Sequence, residues 1–224
     1  MSEREAPSAR RPLTPEEIHS WFNLQRETVE RLHPSWLPEI DAELIGTARH
    51  TALGRRWLAN RLCVTRPLLF TLPRGVGPGS AHELPRFARL RAILREPAES
   101  ALDLGSLALA ARLRTVVNRP AVTRLRTMLG TQRYERALKA SSSTTDTVEL
   151  PWLSMQTSDE IEVLVGQVLH HGAHELAAYA AGLHPALAES VRLSYERCWW
   201  DSPYPTALNP DAAAACLELR ETDT

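Results

Sequence analysis

Apolar positions along this chain recur at helical spacing and show no sustained alternation. Ile18, Trp21, Phe22, Gln25, Val29 and Leu32 mark one face of a first helix that opens at Thr14. Thr14 can cap it, and Pro15 sits where a missing N–H is harmless. Glu16 and Glu17 suit the positive end of the helix dipole. The run His33-Pro34-Ser35-Trp36-Leu37-Pro38 reads as a turn, because each proline disfavours helical backbone in the residue before it. A second helix is predicted over 38–62, with Ile40, Leu44, Ile45, Ala48, Ala52, Trp57, Leu58 and Leu62 as its stripe. From Pro67 to Pro85 proline and glycine crowd the chain, which marks a connector and a candidate subdomain boundary.

Beyond the connector the helical pattern resumes. Phe87, Leu90, Ile93 and Leu94 form one stripe; Leu102, Leu104, Leu107, Leu109, Ala110, Leu113, Val116 and Val117 form another, stopped near Asn118 by Pro120. Val122, Leu125, Met128 and Leu129 give a third, ended by Gly130. A short helix over about 131–139 sets Tyr134 and Leu138 on one face. Ser141 to Thr145 is a low-complexity loop. Thr157-Ser158-Asp159-Glu160 then has the spacing of a capping box, opening a helix through Ile161, Leu164, Val168 and Leu176 to about Gly182. Pro185 starts another towards Cys198, and a short helix is expected at 211–220.

The pattern therefore predicts an all-α fold, an irregular bundle of about eight helices with little or no sheet. It divides into a disordered leader (1–13), an N-terminal helical part (14–66) and a connector (67–85). A main helical domain (86–198) with a Ser/Thr loop at 140–156 and a tail (199–224) follow. The bundle is one body, or two subdomains divided near the Pro/Gly stretch or the Ser/Thr loop.

Composition changes this picture little. Apolar residues make up 43% and charged residues 24%, a balance that builds a globular core and argues against wholesale disorder. No apolar run approaches the ~20 residues of a membrane-spanning helix, and Met1 to Pro12 has no secretory h-region. The expectation is a cytoplasmic chain with no direct membrane insertion. Cys63, Cys198 and Cys216 are odd in number and widely spaced, so they fit inert thiols in a reducing compartment better than a disulfide framework or a zinc site.

Charge is distributed unevenly. Residues 83–139 hold 12 basic against 5 acidic side chains, and residues 140–224 hold 3 against 13. Either the two segments face each other, or each faces an outside partner. Arg86, Arg89, Arg112, Arg114, Arg119, Arg124, Arg126, Arg133 and Arg136 could contact phosphates, so a nucleic-acid-binding regulator using 86–139 is the alternative function. A net charge of −1 and the acidic last third weigh against it, and no nucleic acid is expected as a partner.

Catalytic chemistry finds little to stand on. His170 and His174 lie one helical turn apart and could chelate a transition metal, with His171 beside them. Glu175 is not where a zincin needs its glutamate, and no third ligand is indicated. Gly75, Gly77 and Gly79 lack the Lys-Ser/Thr of a phosphate-binding loop, and no Gly-x-Ser-x-Gly elbow occurs. No metal, cofactor or catalytic residue is assigned, and the chain reads as a non-enzyme. Trp21, Trp36, Trp57 and Trp152 suit core packing. Trp199 and Trp200 are adjacent and cannot share one face of a regular element, so at least one is expected to be free for another subdomain or a partner.

Three stretches together resemble the SctK family of type III secretion proteins, also called YscK or PscK. They are the first helix leading into His33-Pro34-Ser35-Trp36-Leu37-Pro38, the run Leu104 to Arg114 with Val117-Asn118-Arg119 and Leu125 to Gly130, and the late helix Gly166 to Ala181 with Val191-Arg192-Leu193. Their order and spacing are similar to the family's across most of the chain; the charged leader and the tail after Trp199 depart from it. The resemblance implies a rigid helical adaptor of the cytoplasmic sorting platform. Its partners would be the inner-membrane ring protein, SctD, and the SctQ pods. Arg112, Arg114, Arg119, Trp199 and Trp200 are the interface candidates on this reading.

Overall fold

The structure, a computed structural model, describes residues 14–70, 96–140, 158–201 and 206–222. The expected leader, residues 71–85 of the connector, the stripe from Phe87 to Leu94, the loop from Ser141 onward, Trp152 and the Thr157 cap lie outside those residues.

Among the described residues the chain is all-α, with eleven helices, two 3-10 turns and no strand. In chain order the helices are α1 (Pro15–Glu30), α2 (Ala42–Arg49), α3 (Ala52–Thr65), α4 (Pro67–Phe70), α5 (Pro97–Ala108), α6 (Ala110–Arg114), α7 (Arg119–Leu129), α8 (Thr131–Lys139), α9 (Ser158–Leu183), α10 (Pro185–Leu193) and α11 (Pro210–Thr222). The 3-10 turns are Pro34–Trp36 and Arg197–Trp200. No described helix is long and apolar enough to cross a membrane.

The chain forms two compact units, 1–95 with 183–197 and 96–182 with 198–224. This differs from the expected main domain over 86–198, because residues 183–197 complete the first unit. Thr28 Oγ1 and Ser190 Oγ, both buried, lie 2.6 Å apart. The His33 N–H donates to the Leu193 carbonyl at 2.8 Å, and Trp36 Nε1 donates to the Tyr195 carbonyl at 2.9 Å. Leu187, Val191 and Leu193 are buried in the same unit as Leu24, Leu32, Leu58 and Leu62.

Within that unit the helix expected over 38–62 is two helices. Asp41 Oδ1 accepts from the Glu43 and Leu44 N–H groups, which caps α2, and Thr51 Oγ1 accepts from the Gly54 N–H, which caps α3. The chain turns between them at His50 and Thr51. Gly54 makes the turn fit: a Cβ there would stand 2.3 Å from the Ala48 carbonyl oxygen. Because the turn resets the helical phase, Leu44 is exposed while Ile45, Ala48, Leu58 and Leu62 are buried. Helix also persists into the expected connector, as α4, whose Leu69 is buried.

In the second unit α5 and α9 meet backbone to backbone. A Cβ on Gly105 would stand 1.9 Å from the Val168 carbonyl oxygen, and one on Gly172 1.7 Å from the Ala101 carbonyl oxygen. Beside this crossing, Leu113, Leu125, Leu129, Tyr134, Ile161, Leu164 and Val168 form a continuous core. The stripe expected over 102–117 breaks at Leu109 and ends in helix at Arg114; Pro120 stands in the first turn of α7 instead. Gly130, at φ 88°, joins α7 to α8 in a backbone conformation that suits glycine. α8 spans the residues expected of it, whereas α10 stops at Leu193, short of Cys198.

Candidate functional site

The histidine cluster lies on α9, and its neighbours come from the turn Arg197–Trp200. The His170 and His174 rings are 5.1 Å apart. Trp199 lies 4.8 Å from the His170 ring, and Trp200 4.5 Å from the His174 ring. The Trp199 carbonyl oxygen stands 2.8 Å from His174 Nε2 and 3.4 Å from His170 Nε2. A carbonyl only accepts, so His174 meets it with a protonated Nε2. Both adjacent tryptophans therefore pack on α9. Successive residues of a 3-10 turn point about 120° apart, and two histidines one turn apart offer a seat to each ring. Both tryptophans are half-buried.

His171 and Glu175 turn the other way, into the protein, at 0% and 2% exposure. His171 Nε2 lies 3.4 Å from Glu175 Oε1. The Glu175 carboxylate accepts the backbone N–H groups of Ala207 and Leu208, which ties the approach to α11 onto α9. This carboxylate works as a structural anchor. Among the described residues no group of three or more His, Cys, Asp or Glu could hold a metal ion.

The arginine block is largely engaged within its own unit. Arg114 donates from Nε to the Leu138 carbonyl at 3.2 Å and from its Nη2 to the carbonyls of Ala137 and Ala140. A cation holding the last carbonyls of α8 is both a cap and a favourable partner for the helix dipole. Arg133 donates at 2.7 Å to each of Asp103 and Glu99, and Arg136 lies 3.9 Å from Asp103. Burial works against the Arg133 charge, but the hydrogen bonds and negative charges of Asp103 and Glu99 outweigh it, and its pKa is raised. Arg124 pairs with Glu162, and Arg126 stands 5.8 Å from the Tyr134 ring, whose own pKa burial pushes up. Arg112 is half-buried, and Arg119 is exposed at the start of α7. Arg86 and Arg89 lie outside the described residues. Of the five interface candidates, then, Arg114, Trp199 and Trp200 hold internal contacts, and Arg119 stands open.

One open face lies outside the sequence expectations. On α3, Leu53 is 80% and Val64 84% exposed, with Trp57 half-buried between them and the Arg61 guanidinium 5.9 Å from its ring. The signal was present as the four-three-four spacing of residues 53, 57, 60 and 64. A single stripe that takes in both Trp57 and its neighbour Leu58 hides it, because adjacent helical residues point ~100° apart.

No family model, curated protein or solved structure matches this chain.

Proposed function

We propose that this chain is a non-enzymatic adaptor of a type III secretion sorting platform. On this reading it works at the cytoplasmic face of the inner membrane and links an SctD-type ring protein to SctQ-type pods. The observation that carries the reading is the ordered set of three stretches resembling the SctK family. Segments of these stretches also pack together within each unit. His33–Trp36 joins Leu193 and Tyr195 in the first unit, and Gly105 meets Val168 and Gly172 in the second.

An adaptor needs two separate surfaces, and an all-α chain in two compact units can supply them. The nucleic-acid alternative draws less support. Arg114, Arg124, Arg126, Arg133 and Arg136 already face carbonyls, carboxylates or a ring of their own unit. The test is reconstitution. The purified chain should form a ternary complex with the SctQ-type protein and the SctD-type cytoplasmic domain of its own system, seen by light scattering after size exclusion. A chain that binds only one of them, or neither, would overturn the proposal.

A further inference from the structure

From Ala52 to Phe70 the chain carries Arg55, Arg56, Arg61 and Arg66 and not one acidic residue. Two of these arginines are turned inward: Arg55 reaches Glu30 at 3.5 Å, and Arg66 reaches Glu189 at 3.4 Å. Arg56 and Arg61 stay on the exposed side of α3, without an ion pair among the described residues. Between them run Leu53, Trp57, Asn60 and Val64. At ~100° per residue Leu53, Trp57 and Val64 fall within about 40° of one another, on the side of α3 away from Leu58 and Leu62. A seam at four-three-four spacing with charged flanks is the pattern that one helix offers another.

We infer that this face of α3 docks an acidic amphipathic helix of a partner protein. Four features select that occupant. Both flanks of the seam are basic, so an opposing helix needs carboxylates at its own flanking positions. A second copy of this chain would set Arg56 and Arg61 against their own kind, which works against self-pairing. An apolar arc so narrow suits a helix–helix seam, whereas an interfacial membrane helix buries a broad apolar face. Asn60, exposed in the middle of the seam, gives it the single polar position by which paired helices fix register. The inference does not depend on the adaptor reading, and its test uses neither secretion component.

The probe is a labelled synthetic helix of about three heptads, with leucine along the seam, one asparagine to meet Asn60 and glutamate on both flanks. It is titrated against the full chain by fluorescence anisotropy. A lysine-flanked twin and phosphatidylglycerol vesicles are tested in parallel. The glutamate helix should bind, and the lysine helix at least tenfold more weakly. Leu53→Glu combined with Val64→Glu should weaken the glutamate helix at least tenfold; both sites are over three-quarters exposed, so the fold is kept, as circular dichroism would verify. Arg56→Glu combined with Arg61→Glu should reverse the preference towards lysine. Equal binding of the two helices, binding that survives Leu53→Glu with Val64→Glu, or no peptide binding at all would each overturn the inference. Vesicle binding that this pair of substitutions abolishes, with the peptides ignored, would overturn it in favour of a lipid surface.

Discussion

Alanine at residue 105 would drive a methyl carbon to 1.9 Å from the Val168 carbonyl oxygen, and alanine at 172 to 1.7 Å from that of Ala101. The obstacle in each case is backbone, which no rotamer change relieves. Gly105→Ala and Gly172→Ala should therefore each lower stability by roughly 3 kcal/mol or more, read as a large drop in thermal midpoint. At Gly166 on the same helix nothing lies within 4 Å of the added carbon, so Gly166→Ala should be neutral or stabilising by up to about 1 kcal/mol. An equal loss at all three would refute a crossing set by Gly105 and Gly172. The need for these glycines was not legible in the sequence. Each sits in an alanine- and leucine-rich helix where a glycine carries no signal of its own, and only packing shows where the second helix comes closest. Cys216 is a further residue-scale case. Burial first, and Asp103 second, push its thiol up to about 11 from an ordinary value of 9.0. The folded state then keeps a proton that the unfolded chain releases, so stability falls as pH rises from about 9 to about 11. The loss is roughly 2–3 kcal/mol across that window. Urea midpoints at about pH 8 and about pH 10 should show the fall, and Cys216→Ala should flatten it. Tyr195, also raised by burial, adds loss in the same direction at higher pH.

Helices were easier to read than their ends. α8 and the start of α10 follow from Gly130, Lys139 and Pro185, residues whose backbone or charge preference is local. The break at His50 and Thr51 had a local signal too, in the capping residue Thr51, but an apolar pattern continuing across it masked it. Trp199 and Trp200 were marked out by adjacency alone; that they seat on His170 and His174 depends on a partner helix far off in sequence. Arg114 shows how an element end can rest on one distant side chain. Its guanidinium serves three carbonyls at the end of α8, so Arg114→Ala should cost about 1–3 kcal/mol and weaken amide protection there first. Arg114→Lys should recover little of it, because one ammonium lacks the planar fork that reaches several carbonyls. Uniform loss of protection over the whole unit, with α8 no worse than α5, would show that the cap is unimportant.

Two units from one chain need not mean two consecutive domains, and here they do not. Apolar spacing shows which residues are inside but not which of them share an inside, so the all-α class was legible and the grouping was not. The chain passes between units near residues 95, 182 and 197. A fragment of residues 1–95 holds α1 to α4 but lacks Leu187, Ser190, Val191 and Leu193, and should be largely unfolded by circular dichroism. Adding a peptide of residues 183–197 in excess should restore helicity and protection around Leu24 and Leu32. A cooperative melt from 1–95 alone would show that the returning segment is dispensable.

The same interleaving has a consequence during synthesis. A ribosome delivers residues in order, and consecutive domains can close one after another as they emerge. Here α1 to α4 must wait for α10, and α5, which packs against α11, must wait for Pro210–Thr222. From residue 96 until residues 183–197 have been added, the nascent chain therefore carries two unfinished cores at once. It should depend more on chaperones that cover apolar surface than a chain of equal length with its domains in series.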